Sequence, residues 1–424
     1  MSERHVVVVG AGIIGLSCAL QLRRRGHHVT VFDAGEIGAG ASAGNAGWIV
    51  PSLSAPVAAP GALSYGMRSL FHRSGGFSIR ATPTPSMMAW GLRFARATRR
   101  SDFEAGLAAT ARFAVGAARS FADLEKSGVT TSIRSDGMLI VFDDEAKARR
   151  ALPSYSRLSE YGINVDDYVV SASELKHLEP GLGRSARSGI YFPDEQYVDP
   201  EALCAGIASR AVREGVIIRT HSPVDRVTQA PHPEVLLRDG TTIGDSIVVL
   251  AAGTESTKLA RGLGYKLPMQ AGKGYSVRVR PEVPLRRPVY IPDAKAALTP
   301  TDNGLRIAGV MELGGRSLRI DGRRLSHMQQ SAESYFAEGF HPGASHKWAG
   351  LRPVSADSLP VIGAIPNTRD AFIATGHAML GVTLGPLTGE SIADLVSGVQ
   401  RPLIDAFSPA RFSKEPHHDQ DTSH

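Results

Sequence analysis

Cysteine is almost missing from this chain. Cys18 and Cys204 are the only two among 424 residues, and neither sits in a CxxC or beside a histidine. That excludes a disulfide framework and offers no metal-ligand spacing, so no metal site is expected. Two isolated thiols fit a reducing cytoplasm. Internal repeats are absent, as are the compositional biases of collagen-like or disordered chains. There is no acidic excess either: the formal net charge is +6. The basic residues are scattered, and densest between Arg68 and Arg100, with Arg73, Arg80, Arg93, Arg96 and Arg99 between them. No nucleic-acid-binding signature accompanies them, so no nucleic acid partner is expected. A solvated helix face is the simplest reading of that stretch; a membrane-surface or partner contact is the alternative.

A membrane-length apolar run is also lacking. Residues 6–22 come nearest. They fall short of the about 20 residues a span needs. Arg23, Arg24 and Arg25 follow them, where a secretory leader would have a small-x-small cleavage site. What this run does contain is three glycines at a fixed spacing.

Gly10-Ala11-Gly12-Ile13-Ile14-Gly15 reads GxGxxG. Residues 5–9 before it are continuous and β-branched, as in a buried parallel strand, and residues 13–25 after it have helical spacing and end at Gly26. The first glycine makes a tight turn, the second admits a pyrophosphate to the backbone, and the third lets helix and strand pack. The helix N-terminus offers free N–H groups to the phosphates. Asp33 closes a second strand, where an acid accepts from a ribose hydroxyl. A dinucleotide is therefore expected; the unit alone does not separate FAD from NAD.

Two further segments bear on that choice. Residues 38–47 read GAGASAGNAG, a density of small residues that implies close backbone approach, with Ser42 able to donate to a phosphate. Near the C-terminus, Gly376-His377 follows a strand, and Gly381-Val382-Thr383 leads into a helix expected from Pro386 to about Ser397. Such a strand-loop-helix sets N–H groups and a positive dipole end at one point. Reduced flavin needs that, because negative charge collects on its N1 and O2. Between these segments, Asp199-Pro200-Glu201 is a strong helix start. Strands of an antiparallel sheet are read over 273–280, 289–291, 296–299 and 305–310, and a long helix over 321–340.

With these motifs in view, the chain resembles the D-amino acid oxidase/dehydrogenase superfamily of FAD enzymes, most of all the bacterial D-amino acid dehydrogenase branch. The matching stretches include VVVVGAGIIGLSCALQLRRRGHHVTVFD, SAGNAGWIVPSLSAPVAAPGAL, VVLAAGTES, WAGLRPVSADSLPVIG and FIATGHAMLGVTLGP. The resemblance implies an α/β fold: a doubly wound, Rossmann-like FAD-binding domain from residues 1–50, 193–267 and 347–412, and a smaller α+β substrate domain with an antiparallel sheet from 51–192 and 268–346. Residues 413–424 read as a disordered tail.

The resemblance also implies roles. Gly10, Gly12, Ile13, Ile14, Gly15 and Asp33 hold the ADP half; Ser42, Asn45, Ala46 and Gly47 line the pyrophosphate and flavin edge. Val224 pairs with adenine, Ala252 and Gly253 close over the dinucleotide, and Gly381, Val382 and Thr383 face the flavin pyrimidine. Arg352 matches the arginine that pairs with a substrate carboxylate, a task suited to a bidentate guanidinium. His377 is a second catalytic candidate, with a structural hydrogen-bonding role as the alternative. Trp48 stands where the closest dehydrogenases carry Gln, and VDPEAL where they carry a GD-cysteine pattern. Trp48 would narrow the substrate pocket toward a small or cyclic amino acid.

No cysteine for covalent flavin attachment stands near Gly376, so non-covalent FAD is expected. The implied reaction is oxidation of a D-amino acid by hydride transfer from Cα to flavin N5, giving an imine and then a 2-oxo acid. D-proline and hydroxy-D-proline are the cyclic candidates, and a quinone or another acceptor takes the electrons. The implied setting is the cytoplasm or the inner membrane face. A glycine- or sarcosine-type amine oxidase, and a flavin subunit that works only with a partner subunit, stay open as alternatives.

Overall fold

The computed structural model describes residues 4–64, 77–79, 84–302, 304–341 and 346–413. A run of β-branched residues can bury both faces only inside a sheet covered on each side. His5–Val9 lies there, in a six-stranded sheet ordered Val361–Ala364, Ala371–Thr375, Ile247–Leu250, His5–Val9, His28–Phe32, Ile217–Arg219. All pairs are parallel except the outermost, Val361–Ala364 against Ala371–Thr375. Val6 and Val8 face a core shared with the helices Ile13–Arg24, Pro200–Arg213 and Gly381–Val396. Val7 and Val9 face the other core, beneath the short helix Ser256–Gly262 and a three-stranded sheet of Val224–Ala230, His232–Leu237 and Thr242–Ile243.

The first and last helices touch through glycine. A Cβ added at Gly385 would come within 2.9 Å of Ile13, and one at Gly389 within 2.5 Å of the Ser17 backbone. The missing side chains let two helices lie against each other. Gly385 meets Ile13 and Gly389 meets Ser17, so the helices run in the same direction and open at the same end.

The second large sheet is ordered Lys347–Ser355, Met269–Val279, Gly304–Leu313, Ala296–Thr301, Val289–Ile291, Met138–Phe142, Ser188–Phe192, Val170–Ser171, with Phe77–Ile79 also beside Gly304–Leu313. It is antiparallel apart from Val289–Ile291 against Met138–Phe142 and Phe77–Ile79 against Gly304–Leu313. Helix Gly322–Glu333 buries Leu325 and Met328 against one face. A parallel dinucleotide-type sheet beside an antiparallel-rich one is the α/β architecture expected.

Several boundaries differ from expectation. Lys347–Ser355 was expected in the FAD-binding domain, but it pairs with Met269–Val279 from Met269↔Ser355 to Val277↔Lys347. Ladder hydrogen bonds hold it on the second sheet despite its closeness in sequence to the C-terminal strands. The helix expected over 321–340 stops at Glu333. There Tyr335 and Phe336 turn into the core beside Leu182, and the Glu333 carboxylate accepts the N–H of Phe340 at 2.9 Å. The C-terminal helix begins at Gly381, with Pro386 inside it. Arg68, Arg73, Arg80 and residues 414–424 lie outside the described residues. Among the described residues no helix is long and apolar enough to cross a membrane.

Candidate active site

A cavity of about 870 Å³ is walled by both large sheets. The glycine turn forms one part of its wall. Gly10 has φ +113°, and a Cβ there would lie 2.5 Å from the Ala251 carbonyl oxygen. A Cβ on Gly15 would lie 1.8 Å from the Gly10 oxygen, so Gly15 packs the turn and does not itself line the cavity. Gly12, Ile13 and Ile14 do line it, at the start of the first helix. Asp33 also lines it, held by two backbone donors: Ala11 N–H at 2.6 Å on Oδ2 and Gly35 N–H at 2.8 Å on Oδ1. Each oxygen keeps a lone pair for a hydroxyl. Val224, Ala252 and Gly253 are further lining residues.

The C-terminal helix supplies the opposing wall. Its N-cap, Leu380, makes no side-chain cap, and the first N–H bonded back into the helix is that of Leu384, to Leu380 O at 2.9 Å. The N–H groups of Gly381, Val382 and Thr383 precede it, and all three residues line the cavity. The Thr383 hydroxyl is committed elsewhere. It donates to Trp48 O at 2.9 Å and accepts from Val50 N–H at 3.2 Å. Two helix N-termini thus converge on one space, each a positive dipole end with free donors.

The GAGASAGNAG segment behaves less uniformly than expected. Ser42, Asn45 and Ala46 line the cavity; Ser42 Oγ accepts from Ile13 N–H at 3.1 Å, and its hydroxyl also hydrogen-bonds the Cys204 sulfur. Gly47 does not line it. Its φ is +79°, and a Cβ there would lie 2.0 Å from Val198 O. A Cβ on Gly44 would fall 1.9 Å from the Trp348 indole, and one on Gly350 2.0 Å from the same ring. Part of the glycine content therefore makes room for Trp348, a lining residue that the sequence reading missed. It also missed Arg306, buried, which donates to Ala43 O at 2.6 Å and Asn45 O at 2.8 Å and so anchors this loop from the second sheet. Gly44 and Gly350 were the only signals for Trp348, and neither says which side chain fills the space.

Arg352 reaches the cavity from the edge strand of the second sheet. One Nη1–H donates to Val310 O at 2.9 Å. Val310 holds that carbonyl with φ +57°, strained for a β-branched residue, at a bulge opposite Lys273 to Tyr275. A Cβ on Gly274 would lie 1.9 Å from Arg352 Nη1, so the guanidinium lies flat over Gly274. Among the described residues no carboxylate approaches it, and burial alone pushes its pKa down to about 10. A buried cation with an open fork of donors calls for an anion.

Trp48 and His377 are both buried at the cavity wall. Trp48 Nε1–H donates to Thr299 Oγ1 at 2.8 Å, and its ring meets Tyr290 edge-on, with centroids 6.3 Å apart. His377 Nε2 and Thr388 Oγ1 share a hydrogen bond of 3.0 Å, and burial pushes the imidazole down to about 3. It is therefore neutral near pH 7 and unsuited to bind a carboxylate by charge. An unfolded histidine titrates at about 6.5. Between those values the unfolded chain binds the extra proton, so His377 contributes stability that is present above about 6.5 and lost as pH falls toward 3. Thermal unfolding midpoints should therefore fall less steeply on acidification in His377→Gln than in the parent; equal slopes would refute this.

The DAO family, described as FAD dependent oxidoreductase, matches residues 5–395. The chain belongs to this family. Among curated relatives of this FAD dependent oxidoreductase is a D-amino acid dehydrogenase of Paramagnetospirillum magneticum, 33% identical over 410 residues, which cover 93% of this chain and 95% of that one. Among solved structures, glycine oxidase from Geobacillus kaustophilus superposes with a TM-score of 0.74 at 22% identity, over 97% of this chain and 100% of the other. L-proline dehydrogenase from P. horikoshii gives 0.74 at 20% identity, over 97% and 98%. These two structures speak to the fold.

The residues present fit FAD. The cavity joins a glycine turn that a Cβ would block, an acid with open lone pairs, and two helix N-termini. Negative charge on a pyrophosphate, and on a reduced flavin ring, is stabilised by such donors.

Proposed function

We propose that this oxidoreductase oxidises a D-amino acid, with small cyclic substrates such as D-proline or hydroxy-D-proline as the narrower candidates. Arg352 carries the reading: a buried guanidinium, bonded among the described residues only to Val310 O, in the cavity wall. It would clamp the substrate carboxylate in a fork and fix which face of Cα is presented. Trp48 and Tyr290, held edge to face, would bound the side-chain space and favour compact substrates. The D configuration is supported by the likeness to the P. magneticum enzyme. FAD, when bound, supplies the acceptor for the Cα hydride. The protein's part is to orient the Cα–H and to hold the amine neutral, so that its lone pair can form the C=N bond as hydride leaves. The imine then hydrolyses to a 2-oxo acid, or persists if cyclic.

Cys18 and Cys204 are buried and neither lines the cavity, which supports non-covalent FAD. Resemblance to dehydrogenases favours a quinone or similar acceptor over oxygen. The test is anaerobic mixing of the yellow protein with D- and L-amino acids, glycine, sarcosine, D-proline and hydroxy-D-proline. Bleaching by D-amino acids is expected, with reoxidation faster by a quinone analogue than by air. Bleaching by glycine or sarcosine alone would move the assignment to another amine, and no bleaching at all would end it.

A further inference from the structure

Tyr155 brings a hydroxyl to the cavity that the chemistry above does not use. The residue lies in the last turn of the helix Glu145–Ser156. Its ring meets Phe192 edge-on, with centroids 5.5 Å apart, and packs in one apolar cluster with Trp48, Tyr290 and Ala297. Tyr155, Trp48, Tyr290 and Ala297 all line the cavity. Packing alone would be served as well by phenylalanine, because a phenol oxygen in an apolar wall costs desolvation unless something bonds it. Among the described residues Tyr155 Oη has no hydrogen-bond partner, and it is not one of the buried atoms sealed from access. Burial, with Tyr290 nearby, pushes the phenol pKa up. The group is therefore a neutral donor and acceptor, open to the space it faces.

Other polar groups on this wall are already engaged. Trp48 Nε1–H donates to Thr299 Oγ1, and the Thr299 hydroxyl donates to Ala46 O at 2.8 Å. The Thr383 hydroxyl has both a donor and an acceptor partner.

The sheet beneath places this hydroxyl across from Arg352. Tyr290, Ala297 and Ala308 stand opposite one another in register, so their side chains share one face, and all three line the cavity. The guanidinium lies over Gly274 and bonds Val310 O, on the strand that carries Ala308. Tyr290 is two strands further on, about 10 Å away at the usual strand spacing. Only the methyl groups of Ala308 and Ala297 rise from the floor between them. A compact amino acid spans such a floor from its carboxylate to the end of its side chain.

We propose that Tyr155 selects among substrates by hydrogen-bonding a neutral polar group, a hydroxyl or carbonyl, on the side chain or ring. This rests on the amino acid reading above. The carboxylate would be held on Arg352, and the polar group would reach Tyr155 Oη past the two alanines. An apolar analogue of the same shape would fill the space but strand the phenol oxygen without a partner, and so would be taken less well. Tyr155 is thus a specificity-determining residue.

The test compares matched pairs in the holoenzyme: hydroxy-D-proline with D-proline, and D-threonine with D-valine, each hydroxylated substrate taken as both epimers at its hydroxyl carbon. In the parent the better epimer should exceed its apolar partner about tenfold in kcat/KM, the usual weight of one neutral hydrogen bond. Tyr155→Phe keeps the ring and its contact with Phe192. It should bring both ratios close to one, with kcat/KM for D-proline and D-valine changed by no more than about threefold. A binding readout needs no turnover: perturbation of flavin absorbance by 3-hydroxybutanoate and by butanoate, carboxylates without an amine to oxidise. The hydroxy acid should bind about tenfold more tightly to the parent and equally to Tyr155→Phe. Parent ratios near one, or a Tyr155→Phe protein that loses both members of each pair equally, would overturn the proposal. If no amino acid reduces the flavin while the parent still prefers the hydroxy acid and Tyr155→Phe does not, the oxidation reading fails and the role of Tyr155 stands.

Discussion

Replacing Arg352 by Met will lower kcat/KM for the amino acid substrate by about 10²–10³-fold, with FAD content unchanged. The size follows from the loss of one partner in a buried, hydrogen-bonded charge pair, worth about 2–5 kcal/mol. FAD should be spared, because among the described residues the guanidinium makes its one hydrogen bond to Val310 O, on the second sheet. The same substitution should raise the thermal midpoint in the absence of substrate, since an apolar side chain of similar length removes an unpaired buried cation. Arg352→Lys will rescue little: an ammonium keeps the charge and loses the planar fork. Gly274→Ala tests the placement independently, for its Cβ would enter the guanidinium at 1.9 Å and displace it without altering any charge. Steady-state kinetics and flavin absorbance decide the matter. A change within about threefold in kcat/KM for Arg352→Met would remove the carboxylate role.

Replacing Gly15 by Val will give protein that does not retain flavin. The position tolerates no side chain, because a Cβ falls 1.8 Å from Gly10 O and 2.9 Å from Gly10 C. Backbone, not a flexible side-chain end, stands in the way, so the turn must open. Opening it moves the Gly10–Gly12 backbone and the N–H of Ala11 that Asp33 accepts at 2.6 Å. The contacts proposed for the cofactor's pyrophosphate and ribose would then be lost together. The expected result is colourless protein, or protein whose FAD affinity falls at least about 10²-fold, equivalent to about 3 kcal/mol. Circular dichroism separates loss of cofactor from loss of fold. Yellow, normally loaded Gly15→Val would show that the third glycine is dispensable.

The dinucleotide turn was fully legible because its requirements are local. Gly10, Gly12, Gly15 and Asp33 act over a single strand-turn-helix-strand, and backbone sterics within that unit dictate the residue types. The C-terminal loop was legible in part: Gly381, Val382 and Thr383 were found, but the helix was expected to begin at Pro386 and begins at Gly381. Proline is most at home in a first turn, and burial of the helix against Ile13 and Ser17 outweighs that preference.

By itself, then, the sequence determined the family's cofactor class and the form of the glycine turn, since chain geometry over a few neighbouring residues admits little else. Only the tertiary structure decided what surrounds that turn. It carried Arg352 onto the second sheet with no carboxylate beside it among the described residues, filled the Gly44–Gly350 gap with Trp348, and buried Glu195 against Ser52. Whether a charge is paired or a glycine is filled depends on segments distant in the chain, and those meet only through packing.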